Sequence, residues 1–130
     1  MSDPENNTGL VAWLDQTSDK AEEVRDFYKE VVGWESSPVS MGDYDDFNMI
    51  PAGDDRPIAG ICHARGGNAD LPVGWLVYIV IENLDKSMEA CARRGGKVIA
   101  GPKDLGEHGR FCVVEDPAGA VAALYEAAEG

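Results

Sequence analysis

The same succession of periodicities occurs twice along this chain, and that repeat constrains the fold more than any single motif. Residues 21–34 place Ala21, Val24, Phe27, Tyr28, Val31 and Val32 at steps of three and four, the spacing of one helix face, with charged residues between them. Asp19, followed three residues later by Glu22, predicts a capped start, and Gly33 a stop. After Asn83 a second helix carries Leu84, Met88 and Cys91 on one face. Arg93 and Arg94 fall in its last turn and Gly95-Gly96 end it. Strand patterns at residues 9–16, 37–41, 44–50 and 57–64 flank the first helix; those at 75–81, 97–100, 110–115 and 120–125 flank the second. Turn-forming clusters separate several of them at residues 51–57, 65–68 and 116–119.

The order is therefore βαβββ read twice, as modules 9–68 and 74–127 of a single domain spanning 9–127, after a polar arm, residues 1–8, expected to be flexible. A Trp-Leu pair opens each module, at Trp13-Leu14 and Trp75-Leu76. One helix covers one face of a four-stranded sheet, so the other face needs a cover of its own. Two modules that curl their sheet around a shared pocket supply it, an α+β architecture. Residues 75–81 are apolar throughout, which suits a strand with a helix on one side and a dry pocket on the other.

Composition narrows the function classes. With 44% hydrophobic residues in 130, the chain can bury a core as one domain. A formal charge of −13, from 24 acidic and 11 basic residues, makes for an acidic protein that repels phosphate backbones and anionic membranes; nucleic acid and membrane are not expected partners. The acidity suits a soluble surface or a salt-rich habitat, which differ in whether stability falls when salt is removed. The apolar run 75–81 is far short of the roughly 20 residues that span a bilayer. Three cysteines without C-x-x-C spacing, and no apolar leader, lead us to expect a reducing, cytoplasmic setting.

Trp13, Phe27-Tyr28, Val31-Val32-Gly33-Trp34, Gly95-Gly96-Lys97-Val98, Asp116-Pro117-Ala118-Gly119 and the tail Leu124-Tyr125-Glu126, in that order, resemble the glyoxalase, bleomycin-resistance and dioxygenase superfamily, also called vicinal oxygen chelate proteins. The resemblance covers residues 9–127 and implies the glyoxalase-like fold, frequent pairing into a homodimer, and either small-molecule binding or metal-dependent lyase, isomerase or dioxygenase chemistry. Each piece also has a plain structural role. Phe27 and Tyr28 supply apolar area where helix meets sheet, and Asp116 to Gly119 form a turn.

The resemblance also implies where divalent-metal ligands would stand. One position lies 14 residues before the Phe-Tyr pair, which is Trp13; one is Leu76, or its neighbour Trp75; one lies seven residues past Asp116, which is Ala123. A fourth region, residues 57–65, holds no carboxylate, though it has Cys62 and His63, which point to opposite faces of a regular strand. Indole, isobutyl and methyl groups are no metal ligands, so no family-type metal site and no cofactor are expected.

The expected pocket is instead apolar, with ligand-binding residues Trp13, Asp15, Phe47, His63, Leu76, Tyr78, Ala123 and Tyr125. It suits a small hydrophobic or aromatic molecule, or a cationic one given the acidity. The alternative is a lyase, isomerase or dioxygenase whose atypical metal set includes His63, His108 and a carboxylate such as Asp15 or Glu126. No catalytic residue is assigned, and Cys62 reads as a small core residue rather than a nucleophile. Tyr44, Asp45 and Asp46 read as a solvated acidic turn, Arg65 to Asn68 as a linker, and His108 as surface.

Overall fold

A computed structural model describes residues 8–66 and 69–128. Residues 1–7 of the N-terminal arm, and Gly67 and Asn68 of the linker segment, lie outside it. The elements run β1 (Val11–Ser18), α1 (Ala21–Val31), β2 (Glu35–Ser40), β3 (Asp45–Ile50), β4 (Ala59–His63), then β5 (Trp75–Val80), α2 (Leu84–Arg93), β6 (Lys97–Asp104), β7 (Arg110–Glu115) and β8 (Val121–Glu126). This is the βαβββ order twice, in an α+β chain. The chain divides into two compact units, residues 13–75 and residues 1–12 with 76–130.

In the first unit the strands lie in the order β2-β3-β4-β1. β1 runs parallel to β4, with Asp15 beside Gly60 and Thr17 beside Cys62, while β3 is antiparallel to both β2 and β4. Ala21, Phe47, Met49, Ala59 and Ile61 form the core, with Leu14, Val24, Tyr28, Trp34 and Trp75 packed on it. Trp75 Nε1 donates to the Tyr28 hydroxyl at 3.0 Å, which lets two large rings enter this core without losing their polar ends.

The α1 start differs from the expected capping box. Ser18 still belongs to β1, so only two residues connect strand and helix, and the cap position falls to Lys20, without a side-chain cap. Ser18 Oγ accepts from the Lys20 N–H instead. Phe27 also departs from expectation. It stands about 100° round the helix from Tyr28 and is 55% exposed, so its ring only meets the edge of Tyr28.

The second unit orders its strands β5-β8-β7-β6, with β5 and β8 parallel and β7 antiparallel to its neighbours. Residues 9 and 10 bond along β5: the Gly9 N–H to the Val80 carbonyl, and the Val80 N–H to the Leu10 carbonyl. Leu84, Cys112 and Val114 are the buried centre under α2, with Met88, Cys91, Val98 and Leu124 around them. Asn83 caps α2 as the sequence predicts, accepting from the Lys86 N–H at 3.1 Å. Asp116 Oδ1 accepts from the N–H groups of Ala118 and Ala120, and Gly119 has φ +89°, so residues 116–119 are the expected turn. β6 runs four residues past its expected end at Ala100. Register shifts on both sides of Ala100 absorb the Gly101-Pro102 pair, which otherwise reads as a strand breaker.

Candidate functional site

Strand alternation sorts the residues of each unit by face. In the first unit Ala59 and Ile61 of β4, Phe47 and Met49 of β3 and Leu14 of β1 pack toward α1. Their neighbours Trp13, Asp15, Thr17, Gly60, Cys62, Asn48 and Asp46 therefore take the helix-free face. A Cβ at Gly60 would stand 3.3 Å from Asp15 Cβ and 3.4 Å from Trp13 Cζ2, so the Trp13 indole lies across β4. Phe47, expected to line the pocket, does not share that face. It is 7% exposed within the α1 core, with the Arg25 guanidinium 4.5 Å from its ring centre.

At one end of the sheet the structure gathers four polar groups. Asp46, 5% exposed, is no part of a solvated turn: it belongs to β3, and one of its oxygens accepts from the His63 backbone N–H at 2.8 Å and meets His63 Nδ1 at 3.1 Å. The Cys62 thiol lies close enough to Thr17 and Asp46 for both to act on its proton. Although β4 alternation sends Cys62 and His63 to opposite faces, Asp46 reaches both because His63 ends the strand. The His63 ring lies edge-on to Tyr44 at 5.3 Å and tilted against Phe47 at 6.0 Å, and the Arg65 guanidinium covers Tyr44 at 4.0 Å.

Burial pushes the Cys62 thiol up to about 12, helped by the negative charges of Asp15 and Asp46 and opposed by the Thr17 bond. A thiolate is therefore scarce at neutral pH. Alkylation of Cys62 by iodoacetamide at pH 8 is expected to run roughly a thousandfold slower than that of an ordinary thiol, as peptide mass mapping would follow. Labelling at an ordinary rate would show that the site opens to water.

In the second unit Cys112, Val114 and Leu124 face α2, so Phe111, Val113, Ala123 and Tyr125 face away from it. The parallel pairing of Tyr78 with Ala123 puts Leu76 and Tyr78 on the same side. Leu76 and Ala123, at 3% and 0% exposure, form a buried floor. Tyr78 and Tyr125 are half-buried beside it, and Tyr78 packs against Phe111 with centroids 5.7 Å apart.

Sequence reasoning missed a polar groove of about 390 Å³ at one end of this unit, lined by Glu82, Asn83, Asp104, Arg110, Glu126 and Ala128 among others. Arg110 bonds Glu126 at 2.8 Å and Asp85 at 3.0 Å, while the second Glu126 oxygen accepts from the Leu84 N–H at the α2 N-terminus. These bonds, Arg110 first and then the Leu84 N–H, hold the Glu126 carboxyl below the usual range. A lowered carboxyl adds stability above its unfolded value and loses it as pH falls through its folded one. Glu126→Gln is expected to cost about 1 kcal/mol at pH 7 and to flatten the acid limb of stability against pH, as urea titrations would record.

The positions where the resemblance puts metal ligands hold Trp13, Leu76 and Ala123, with Trp75 drawn into the α1-side core. None offers a lone pair to a hard cation, so these residues do not fit a divalent ion. The alternative set fares no better. Both Glu126 oxygens are bonded, and His108 is an exposed residue 4.0 Å from Glu107. Among the described residues no three His, Cys, Asp or Glu side chains come together as a metal site.

The chain is similar to several known proteins. The Mycobacterium bovis protein CFP32 is 31% identical over 123 residues, covering 89% of this chain and 43% of its own length. The anthracycline biosynthesis protein DnrV of Streptomyces peucetius is 30% identical over 128 residues, covering 90% of this chain and 46% of its own. The chain thus spans less than half the length of these relatives. Among solved structures, methylmalonyl-CoA epimerase of Mycobacterium tuberculosis has the same fold, with a TM-score of 0.54 at 13% identity over 99% of this chain and 94% of that one. Bacillus halodurans protein BH1468 gives 0.54 at 9% identity, over 92% and 95%. The family model described as Glyoxalase/Bleomycin resistance protein/Dioxygenase superfamily matches residues 10–124, and the chain belongs to that superfamily.

Proposed function

We propose that the chain binds a small hydrophobic or aromatic molecule, neutral or cationic, without a bound metal or other cofactor, and that it does so as a cytoplasmic homodimer. The observation that carries this reading is the register that lines up Leu76, Tyr78, Ala123 and Tyr125 on one helix-free sheet face, with apolar groups where a metal enzyme of the family needs donors. Half-buried rings over an apolar floor offer a flat ligand contact area without a large loss of side-chain freedom. In the first unit Trp13 and Asp15 offer the same pairing of an aromatic surface with a polar anchor. The net charge of −13 favours cations over anions. One relative is named for anthracycline biosynthesis, which supports an aromatic ligand class. The three cysteines are free, and among the described residues no helix is long and apolar enough to cross a membrane.

The test is a thermal-shift screen of chelator-treated protein against aromatic and cationic aromatic compounds. A native-state ligand at a hundred times its Kd adds about 2.7 kcal/mol, which raises Tm by several degrees. Shifts with aromatics that persist in chelator are the expected result. No shift with any of them, or binding that appears only on adding Zn, Mn, Ni or Fe, would overturn the reading. Light scattering tests the dimer, which a particle of one 14.0 kDa chain would refute.

A further inference from the structure

Gly60 stands inside β4, where glycine weakens a strand: it loses more chain entropy on folding than any other residue and packs nothing. Its φ is not positive, so the backbone does not require it. The reason lies in what stands over it. Gly60 pairs with Asp15 on one side and Asn48 on the other, and their side chains take the helix-free face. A Cβ on Gly60 would meet Asp15 Cβ at 3.3 Å, Trp13 Cζ2 at 3.4 Å and Trp13 Nε1 at 3.5 Å. A methyl group would therefore just fit beneath the indole. Any branch beyond it would enter the space that the indole fills.

Trp13 is half-buried in this position, so part of its surface stays open. Trp34 and Trp75 pack on the α1 side, which leaves Trp13 as the tryptophan of the helix-free face among the described residues. A ring already held against a strand loses little freedom when a second ring is laid on it.

We propose that Gly60 determines the ligand shape accepted by the first unit: by leaving out a side chain it seats the Trp13 indole across β4 as a stacking surface for flat aromatic rings. This inference rests on the small-molecule reading above and names the shape that the ligand must have. Gly60 touches no ligand; it acts through Trp13.

The probes are 2-naphthylmethanol and its saturated counterpart, decahydro-2-naphthylmethanol, in titration calorimetry. Both carry one hydroxyl on the same two-ring carbon frame, and only the first is flat. The wild-type chain should bind the flat probe about 2- to 10-fold more tightly, the range of an aromatic pair beyond its buried area. Trp13→Leu keeps an apolar side chain without the ring and should bind both probes equally. Gly60→Val suits a strand but displaces the indole, so it should equalise them too. Gly60→Ala should keep the preference. In the Trp13→Leu background Gly60→Val should change the ratio no further, which a merely structural role would not produce.

Equal binding of the two probes by the wild-type chain overturns the proposal, as does a flat-ring preference intact in Trp13→Leu, while the small-molecule reading stands. A preference that survives in Gly60→Val, or is lost in Gly60→Ala, removes the part given to Gly60. Should Gly60→Val show no cooperative unfolding, Trp13→Leu and Gly60→Ala decide the matter. Failure of both probes also overturns the proposal, and failure of the wider aromatic screen removes the reading on which it rests.

Discussion

Gly109→Ala is expected to lower stability by at least about 3 kcal/mol, or roughly 10 °C in Tm for a chain of this size. Gly109 has φ +105° and ψ −149°, a region that only glycine occupies without strain. A Cβ there would stand 2.1 Å from the Glu126 carbonyl oxygen, 2.8 Å from Ala128 N and 3.0 Å from Ala127 C. All three are backbone atoms, so no side chain can swing aside. Relief requires the end of β8 to move, and Glu126 there holds both Arg110 and the first N–H of α2. Gly53→Ala is the control. Gly53 has φ +81° but open space around its missing Cβ, so it carries the dihedral cost alone, about 1 kcal/mol. Thermal unfolding of both variants would settle the matter: equal losses would mean that the clash with β8 contributes nothing.

The second large effect is expected in the other unit. Met49 has no exposed surface, stands beside Ala59 in the β3–β4 ladder and sits at the centre of the core under α1. Met49→Ala removes its thioether chain from a space that β-strands on either side cannot close, a loss of about 2–5 kcal/mol. Val31→Ala makes the contrast. Val31 is 63% exposed and belongs to the same periodic stripe by sequence, yet its removal is expected to change stability by no more than about 0.5 kcal/mol. Urea midpoints measure both. A Met49→Ala loss as small as that of Val31→Ala would show that the core repacks freely.

That contrast marks how far periodicity reaches. It placed both helices, the Asn83 cap, the turn at residues 116–119 and the strands of both modules, because each of these depends on residues a few positions apart. It also paired Leu76 with Tyr78 and Ala123 with Tyr125, since alternation within a strand survives any packing, but the register of β5 on β8 was needed to bring the two pairs to one face. It could not separate Val24 and Tyr28, which meet the core, from Phe27 and Val31, which stay wet, because the direction in which a helix leans is set by what it packs on. Alternation in β3 could have set Phe47 apart from Asp46. The composition of residues 44–46 obscured it by suggesting a solvated turn.

The sequence by itself determined the repeat, the family and the absence of donor atoms from the side chains of Leu76 and Ala123, because these are properties of residue type and order. Only the tertiary structure decided that Asp46 is a buried carboxylate holding His63, and that Glu126 ties Arg110 to the start of α2. Those pairs lie 17, 16 and 42 residues apart. Their meeting depends on strand register and helix docking, which act over the whole module and leave no local mark in the chain.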